Sequence, residues 1–139
     1  MIEIISGEKG KGKTKHLLEK ANTSIKNANG SIVYLDKSQK NMYGLDNKIR
    51  LINVNEYLIS NCDEFLGFIC GIVSQDNDLE EMYLDSFLTI SNIKDEEICH
   101  AIQKLDVISE KYKVKFIISI SKAEKELPDC AKAKIILSL

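Results

Sequence analysis

Short apolar runs that do not alternate in polarity are the strongest limit on what this chain can fold into. They are Ile2 to Ile5, Ile32 to Leu35, Ile49 to Val54, Met82 to Leu84, Val114 to Ile120 and Ile135 to Leu139. Their length and their content of Ile, Val, Leu and Phe suit strands. A strand open to water on one face alternates, whereas one covered by helices on both faces is apolar throughout, so these runs favour a parallel sheet.

Helical patterns separate the runs. Thr14 to Ala28 predicts a first helix of modest amphipathicity. From Asn55, a good N-cap residue, to Ser74 the apolar positions Leu58, Cys62, Phe65, Leu66, Ile69 and Val73 recur at three- and four-residue steps and predict a second. Asp95 to Tyr112 repeats this with Ile98, Ala101, Ile102, Leu105, Ile108 and Tyr112, its three leading acids favouring the helix N-terminus. A short helical piece over Lys122 to Glu126 must end before Pro128, because a residue preceding proline is pushed out of the α region. Loops are expected at Lys37 to Lys48, Gln75 to Leu79, Ser86 to Lys94 and Ser121 to Ala133. Strands alternating with helices predict a three-layer α/β sandwich with a mostly parallel sheet of about six strands and right-handed crossovers.

At 139 residues with 44% hydrophobic content, the chain is expected to be one domain spanning 1–139. Its formal charge of −2 gives no global attraction to nucleic acid or an anionic membrane, Trp is absent, and no aromatic-basic strip is visible. No apolar run is long enough to cross a bilayer, and the N-terminus carries no secretion-signal pattern, so a cytoplasmic location is expected. Cys62, Cys70, Cys99 and Cys130 form no C-x-x-C pair and read as buried reduced thiols; His16 and His100 are isolated.

The sharpest motif is GEKGKGKT, from Gly7 to Thr14, which fits G-x-x-x-x-G-K-[ST]. It lies between a predicted strand, MIEIIS, and a predicted helix start, TKHLLEKA. In this setting glycines let the backbone curl so that successive N–H groups point at phosphate oxygens, and the helix presents its positive end to the same anion. Gly7, Glu8, Lys9, Gly10, Lys11, Gly12, Lys13, Thr14 and Lys15 are the expected nucleotide-binding residues. Lys13 would reach the β and γ phosphates, and the Thr14 hydroxyl would help hold Mg²⁺. Such a loop needs a carboxylate for the metal's water shell, and EEMYLDSF offers Asp85 at a strand end as a Walker B residue. Lys13 and Asp85 are therefore the expected catalytic residues, and Thr14 and Asp85 the metal-binding ones.

GEKGKGKT and MYLDS resemble P-loop NTPases of the RecA-like (ASCE-type) kind, among which small stand-alone ATP-binding chains are sometimes labelled PilT-like. The resemblance implies ATP and Mg²⁺ as ligands, a further strand between the loop strand and the Walker B strand, and a γ-phosphate-sensing strand in VKFIISIS, with Ser119 and Ser121 as its polar positions. It also implies a water-polarising glutamate beside the loop strand. Asp36, Lys37, Ser38 and Gln39 stand at one such place and Ser86 at the other, which predicts slow hydrolysis, with Asp36 or Gln39 as the substitutes. Arg50 is the single arginine, so an arginine finger must come from it, from a lysine such as Lys132 or Lys134, or from a protein partner or second copy. At this length the PilT family's extra N-terminal domain and its histidine- and acid-rich motifs are not expected, so pilus retraction is not expected either, and Glu8 stands where partitioning ATPases place a lysine.

The expected function is thus Mg²⁺-dependent ATP binding with weak ATPase activity. Two alternatives stay open: a small-molecule or nucleoside kinase, and a non-enzymatic nucleotide-dependent sensor or interaction module built on the Lys37 to Lys48 and Ser86 to Lys94 loops.

Overall fold

The computed structural model describes all 139 residues. Six strands, β1 (Ile2–Ser6), β2 (Ser31–Asp36), β3 (Arg50–Asn53), β4 (Leu79–Leu84), β5 (Lys115–Ile120) and β6 (Ile135–Ser138), form one sheet in the order β3-β2-β4-β5-β1-β6. Every pairing is parallel. The helices are α1 (Lys13–Ile25), α2 (Cys62–Ser74), α3 (Phe87–Ile90), α4 (Ile98–Tyr112) and α5 (Asp129–Lys132).

Strand side chains alternate between faces, so the continuously apolar runs split into two cores. Ile4, Val33, Leu35, Met82, Leu84, Phe116 and Ile118 face α2 and α4 in the larger one. Ile5, Tyr34, Tyr83 and Ile117 turn the other way onto Leu17, Ala21 and Ile25 of α1. The three layers are lopsided: one face carries two long helices, the other a single helix helped by the segment between β2 and β3. Leu45 and Ile49 of that segment pack into the smaller core. Asn22 of α1 pins it, donating to the Gly44 carbonyl at 2.8 Å and accepting from the Asp46 amide at 2.8 Å.

Three expectations from the sequence need correction. The second helix starts at Cys62, not near Asn55. Asn61 caps it by accepting from the Glu64 amide at 2.9 Å, and Glu64 reaches back to the Ser60 amide at 2.7 Å. Asn55 is used elsewhere, donating to the Lys37 carbonyl at 2.7 Å, and Leu58 is exposed outside the apolar stripe. Three expected loops also contain helical turns, a 3₁₀ turn over Met42–Gly44, α3 and α5, and the piece near Lys122 is a 3₁₀ turn over Glu124–Glu126.

The cysteines are the third correction. Only Cys62 is a buried free thiol; Cys70 is exposed, and Cys99 and Cys130 form a disulfide with Cα atoms 5.9 Å apart. The fold brings the first turn of α4 against α5, a contact between positions 31 residues apart that no local spacing announces. No helix is long and apolar enough to cross a membrane.

Candidate functional site

All six strands run the same way, so the segments that leave their carboxyl ends gather along one edge of the sheet, where open α/β sheets bind ligands. A polar cleft of about 400 Å³ opens there, lined by Lys9, Gly10, Gly12, Lys13 and Thr14 from one side and by Lys37, Lys40, Asp85, Ser86, Thr89, Ser119 and Ser121 from the others. No lining residue is hydrophobic.

The loop from Gly7 to Gly12 leaves β1 and turns into α1. Gly10 and Gly12 hold φ values of 86° and 90°, a left-handed conformation that costs glycine least. Gly12 stands at the helix N-cap position without a side-chain cap, and the first turn of α1 contains no acidic residue. The helix therefore presents its amide hydrogens and positive end to the cleft without an internal anion to neutralise them. Gly7 is buried at the base of the loop, where its N–H is taken by the carbonyls of Lys122 at 2.9 Å and Ile120 at 3.3 Å. Glu8, Lys11 and Lys15 are exposed and lie outside the cleft lining.

Lys13 is only 7% exposed, and its ammonium donates to the Glu8 carbonyl at 3.0 Å, folded over its own loop. Burial lowers its pKa from the ordinary lysine value, against an opposing pull from Asp85. Asp85 is 2% exposed and densely bonded. Its Oδ1 accepts from Thr14 Oγ1 at 3.2 Å and from Ser119 Oγ at 2.8 Å, and its Oδ2 accepts from the Tyr34 hydroxyl at 2.7 Å. Ser119 accepts in turn from the Ser86 amide at 2.8 Å, where the backbone enters the left-handed region at φ 57°.

Sheet parity explains the cluster. Ile5, Tyr83 and Ile117 face α1, so the residues two further along β4 and β5, Asp85 and Ser119, face the same way at the strand ends. Thr14 lies in the first turn of the helix packed on that face. Tyr34 pairs with Tyr83 across β2 and β4, and its hydroxyl reaches the next position on the face, Asp85. Sequence reading singled out Lys9, Gly10, Gly12, Lys13, Thr14, Asp85, Ser119 and Ser121 of this group, reached Lys37, Lys40, Ser86 and Thr89 only as members of two loops or neighbours of a motif, and missed Tyr34. Tyr34 had one local signal, a phenol in an otherwise apolar run whose polar tip needs a partner once buried.

Among lining residues, four lysines (Lys9, Lys13, Lys37 and Lys40) face one carboxylate, Asp85. No three His, Cys, Asp or Glu side chains gather anywhere in the fold. A divalent cation here would thus depend on oxygens brought by a phosphate ligand, the way Mg²⁺ is held beside phosphates.

The comparisons reach the fold by geometry. No family model and no curated protein matches the chain. The crystal structure of the flagellar accessory protein FlaH from Methanocaldococcus jannaschii aligns with a TM-score of 0.58 at 16% identity, over 95% of this chain and 65% of that one. In the present sheet β5 lies between β1 and β4, so one strand separates the loop strand from the strand carrying Asp85. The chain has a RecA-like fold. It spans less than two thirds of the FlaH chain it matches.

Within the RecA-like frame, Ser119 and Ser121 sit at the end of the intervening strand, one buried against Asp85 and the other exposed on the cleft wall. Asp36 and Gln39 do not line the cleft. The two oxygens of Asp36 accept from the Lys37 amide at 2.7 Å and the Asn41 side-chain amide at 2.8 Å. Burial raises its pKa above the ordinary carboxylate value, the two hydrogen bonds work against this, and the Asp85 charge adds to the rise. Arg50 opens β3, and Lys134, paired with Asp106 at 3.7 Å, precedes β6; both occupy the sheet's amino-terminal edge, away from the cleft.

Proposed function

We propose that this chain binds a nucleoside triphosphate together with Mg²⁺ and hydrolyses it slowly. The observation that carries the reading is the convergence, in one cleft, of the uncapped N-terminus of α1, the buried ammonium of Lys13 and the hydrogen-bonded Thr14–Asp85 pair. Amides at a helix start and a lysine suit a polyphosphate. A hydroxyl bonded to a carboxylate suits a hard cation: Thr14 Oγ1 donates its hydrogen to Asp85 and would keep its lone pairs for Mg²⁺, and Asp85 would accept from a water of the metal's shell. Mg²⁺, when bound, supplies positive charge against the phosphoryl oxygens. ATP is chosen among the triphosphates on the resemblance of GEKGKGKT and MYLDS to RecA-like ATPases.

Binding needs Lys13 to leave the Glu8 carbonyl and reach into the cleft, exchanging a neutral acceptor for an anionic one. Slow turnover follows from the lining. Asp85 is its only carboxylate, and with three donors on it Asp85 is poorly placed to take a proton from water. No arginine of this chain stands at the cleft to stabilise the transferring group.

The sensor reading draws on a separate observation. The segment between β2 and β3 contributes Lys37 and Lys40 to the cleft, and the one after β4 contributes Ser86 and Thr89, so bound phosphates would tie both surface segments to the nucleotide state. The kinase alternative gains no comparable support.

Calorimetric titration of ATP with Mg²⁺ into the wild type and Lys13→Ala tests the proposal. Losing a hydrogen bond from a charged donor is worth roughly 1.5 to 3 kcal/mol, so Lys13→Ala should weaken binding about tenfold or more. Equal binding by the two proteins would reject this site. Tight binding with turnover indistinguishable from that of Lys13→Ala would favour the sensor reading over the ATPase.

A further inference from the structure

The reading above assigns Asp85 its role but leaves open what holds that carboxylate in place. Tyr34 is fully buried, and its ring stacks on Tyr83 with centroids 5.8 Å apart and planes 12° from parallel. The strand register fixes that stack, because the two residues are directly opposed across β2 and β4. The ring has no room to swing, so its hydroxyl is delivered to Asp85 Oδ2 at 2.7 Å as a rigid donor.

A carboxylate offers about four lone-pair sites, two on each oxygen. Thr14 and Ser119 take both on Oδ1, and Tyr34 takes one on Oδ2. One acceptor site remains, on Oδ2, and the Tyr34 bond decides in which direction it points. Both oxygens turn together about the Cβ–Cγ bond, so Tyr34 adds to the Thr14 and Ser119 bonds on Oδ1 a third hold at the opposite end of the carboxylate, and it fills one of the two Oδ2 lone pairs so that only the other stays free.

We propose that Tyr34 is a positioning residue for metal-bound nucleotide: it locks the Asp85 carboxylate so that its one free lone pair faces the position of a metal-bound water. The inference rests on the proposed Mg²⁺–triphosphate site and adds a residue from a strand that carries none of its motifs. Partners that orient a metal site's carboxylate from behind commonly contribute 10- to 100-fold to metal affinity.

The test compares wild type, Tyr34→Phe and Tyr83→Phe by calorimetric titration with ATP, each at saturating Mg²⁺ and in EDTA. Both variants keep the stacked rings and lose one phenol. The Tyr83 hydroxyl donates to Glu81 at 2.8 Å and does not touch Asp85, so it reports the cost of removing a phenol from this core. Tyr34→Phe should reduce the gain in ATP affinity that Mg²⁺ confers by about tenfold, leave the affinity in EDTA unchanged, and require higher Mg²⁺ to restore binding. Tyr83→Phe should match wild type in that gain. An unaltered Mg²⁺ gain in Tyr34→Phe, or an equal loss in both variants, would overturn the positioning role while leaving the nucleotide site standing. A wild type that binds no ATP would overturn both.

Discussion

At the scale of single residues, two buried carboxylates a strand apart have different duties. Asp85 is surrounded by hydroxyl donors and lines the cleft, whereas Asp36 is held by an amide and an asparagine and lies outside the lining. Asp36 was one of two substitutes for the missing water-polarising glutamate, and its position argues for a structural duty instead. Its pKa is raised above the ordinary 3.8 chiefly by burial. The folded state thus holds a proton there more tightly than the unfolded chain, so this group's contribution is full below the unfolded pKa and is lost as pH rises through the folded one. Asp36→Asn should therefore be more stable than wild type at neutral pH, the difference vanishing below about pH 4, with denaturation midpoints across pH as the measurement. A variant less stable than wild type at neutral pH would show that the charged form is the favoured one.

Residue chemistry also shows what the sequence could carry. Lys13 and Thr14 were legible because a loop motif fixes them locally between a strand and a helix. Asp85 was legible because a strand end announces itself by the change from Leu84 to a polar residue. Tyr34 was not, because its partner is set by the register of β2 on β4, which no single segment contains. Arg50 and Lys134 were named as charge donors on residue type alone, and only the strand direction assigns them to the wrong edge.

At the scale of elements, five strands were readable almost to their ends because apolar runs covered on both faces have few alternatives, whereas β4 was read only from Met82 because Glu80 and Glu81, half-buried, break its apolar run. Helix starts were less so: Asn55 and Asn61 are equally good caps by type, and the choice fell to Asn61 because Glu64 completes a reciprocal cap with Ser60. The link between α4 and α5 was invisible for the same reason as the Tyr34 bond. The disulfide closes a separation of 31 residues and anchors the connection from β5 to β6. Lys122 of that connection pairs with Asp95 at 2.9 Å, and its carbonyl holds the Gly7 amide. Loop-closure entropy for a ring of this size corresponds to roughly 3 to 4 kcal/mol. Urea denaturation of oxidised protein against reduced protein, or against Cys99→Ser/Cys130→Ser, should reveal a loss of about that size, and coincident curves would refute it.

At the scale of the whole molecule, an acidic chain of net charge −2 concentrates four lysines around one carboxylate where its parallel strands end. The sheet faces both strand ends and the start of α1 toward this cleft, so a polyanion meets side-chain ammonium groups and backbone amides together. The likeness to FlaH extends over nearly all of this chain but only 65% of the other, and it concerns the fold.

The claim on which the functional account rests is that the amides between β1 and α1 surround the phosphates of ATP. Titrating ATP with Mg²⁺ into ¹⁵N-labelled protein reads those amides directly. The account predicts that the largest shifts fall on Gly10, Lys11, Gly12, Lys13 and Thr14, and that in Lys13→Ala the loop needs about tenfold more ATP or higher to reach half of its full shift. Shifts centred on another part of the fold, or a loop that stays silent at saturating ATP, would contradict it.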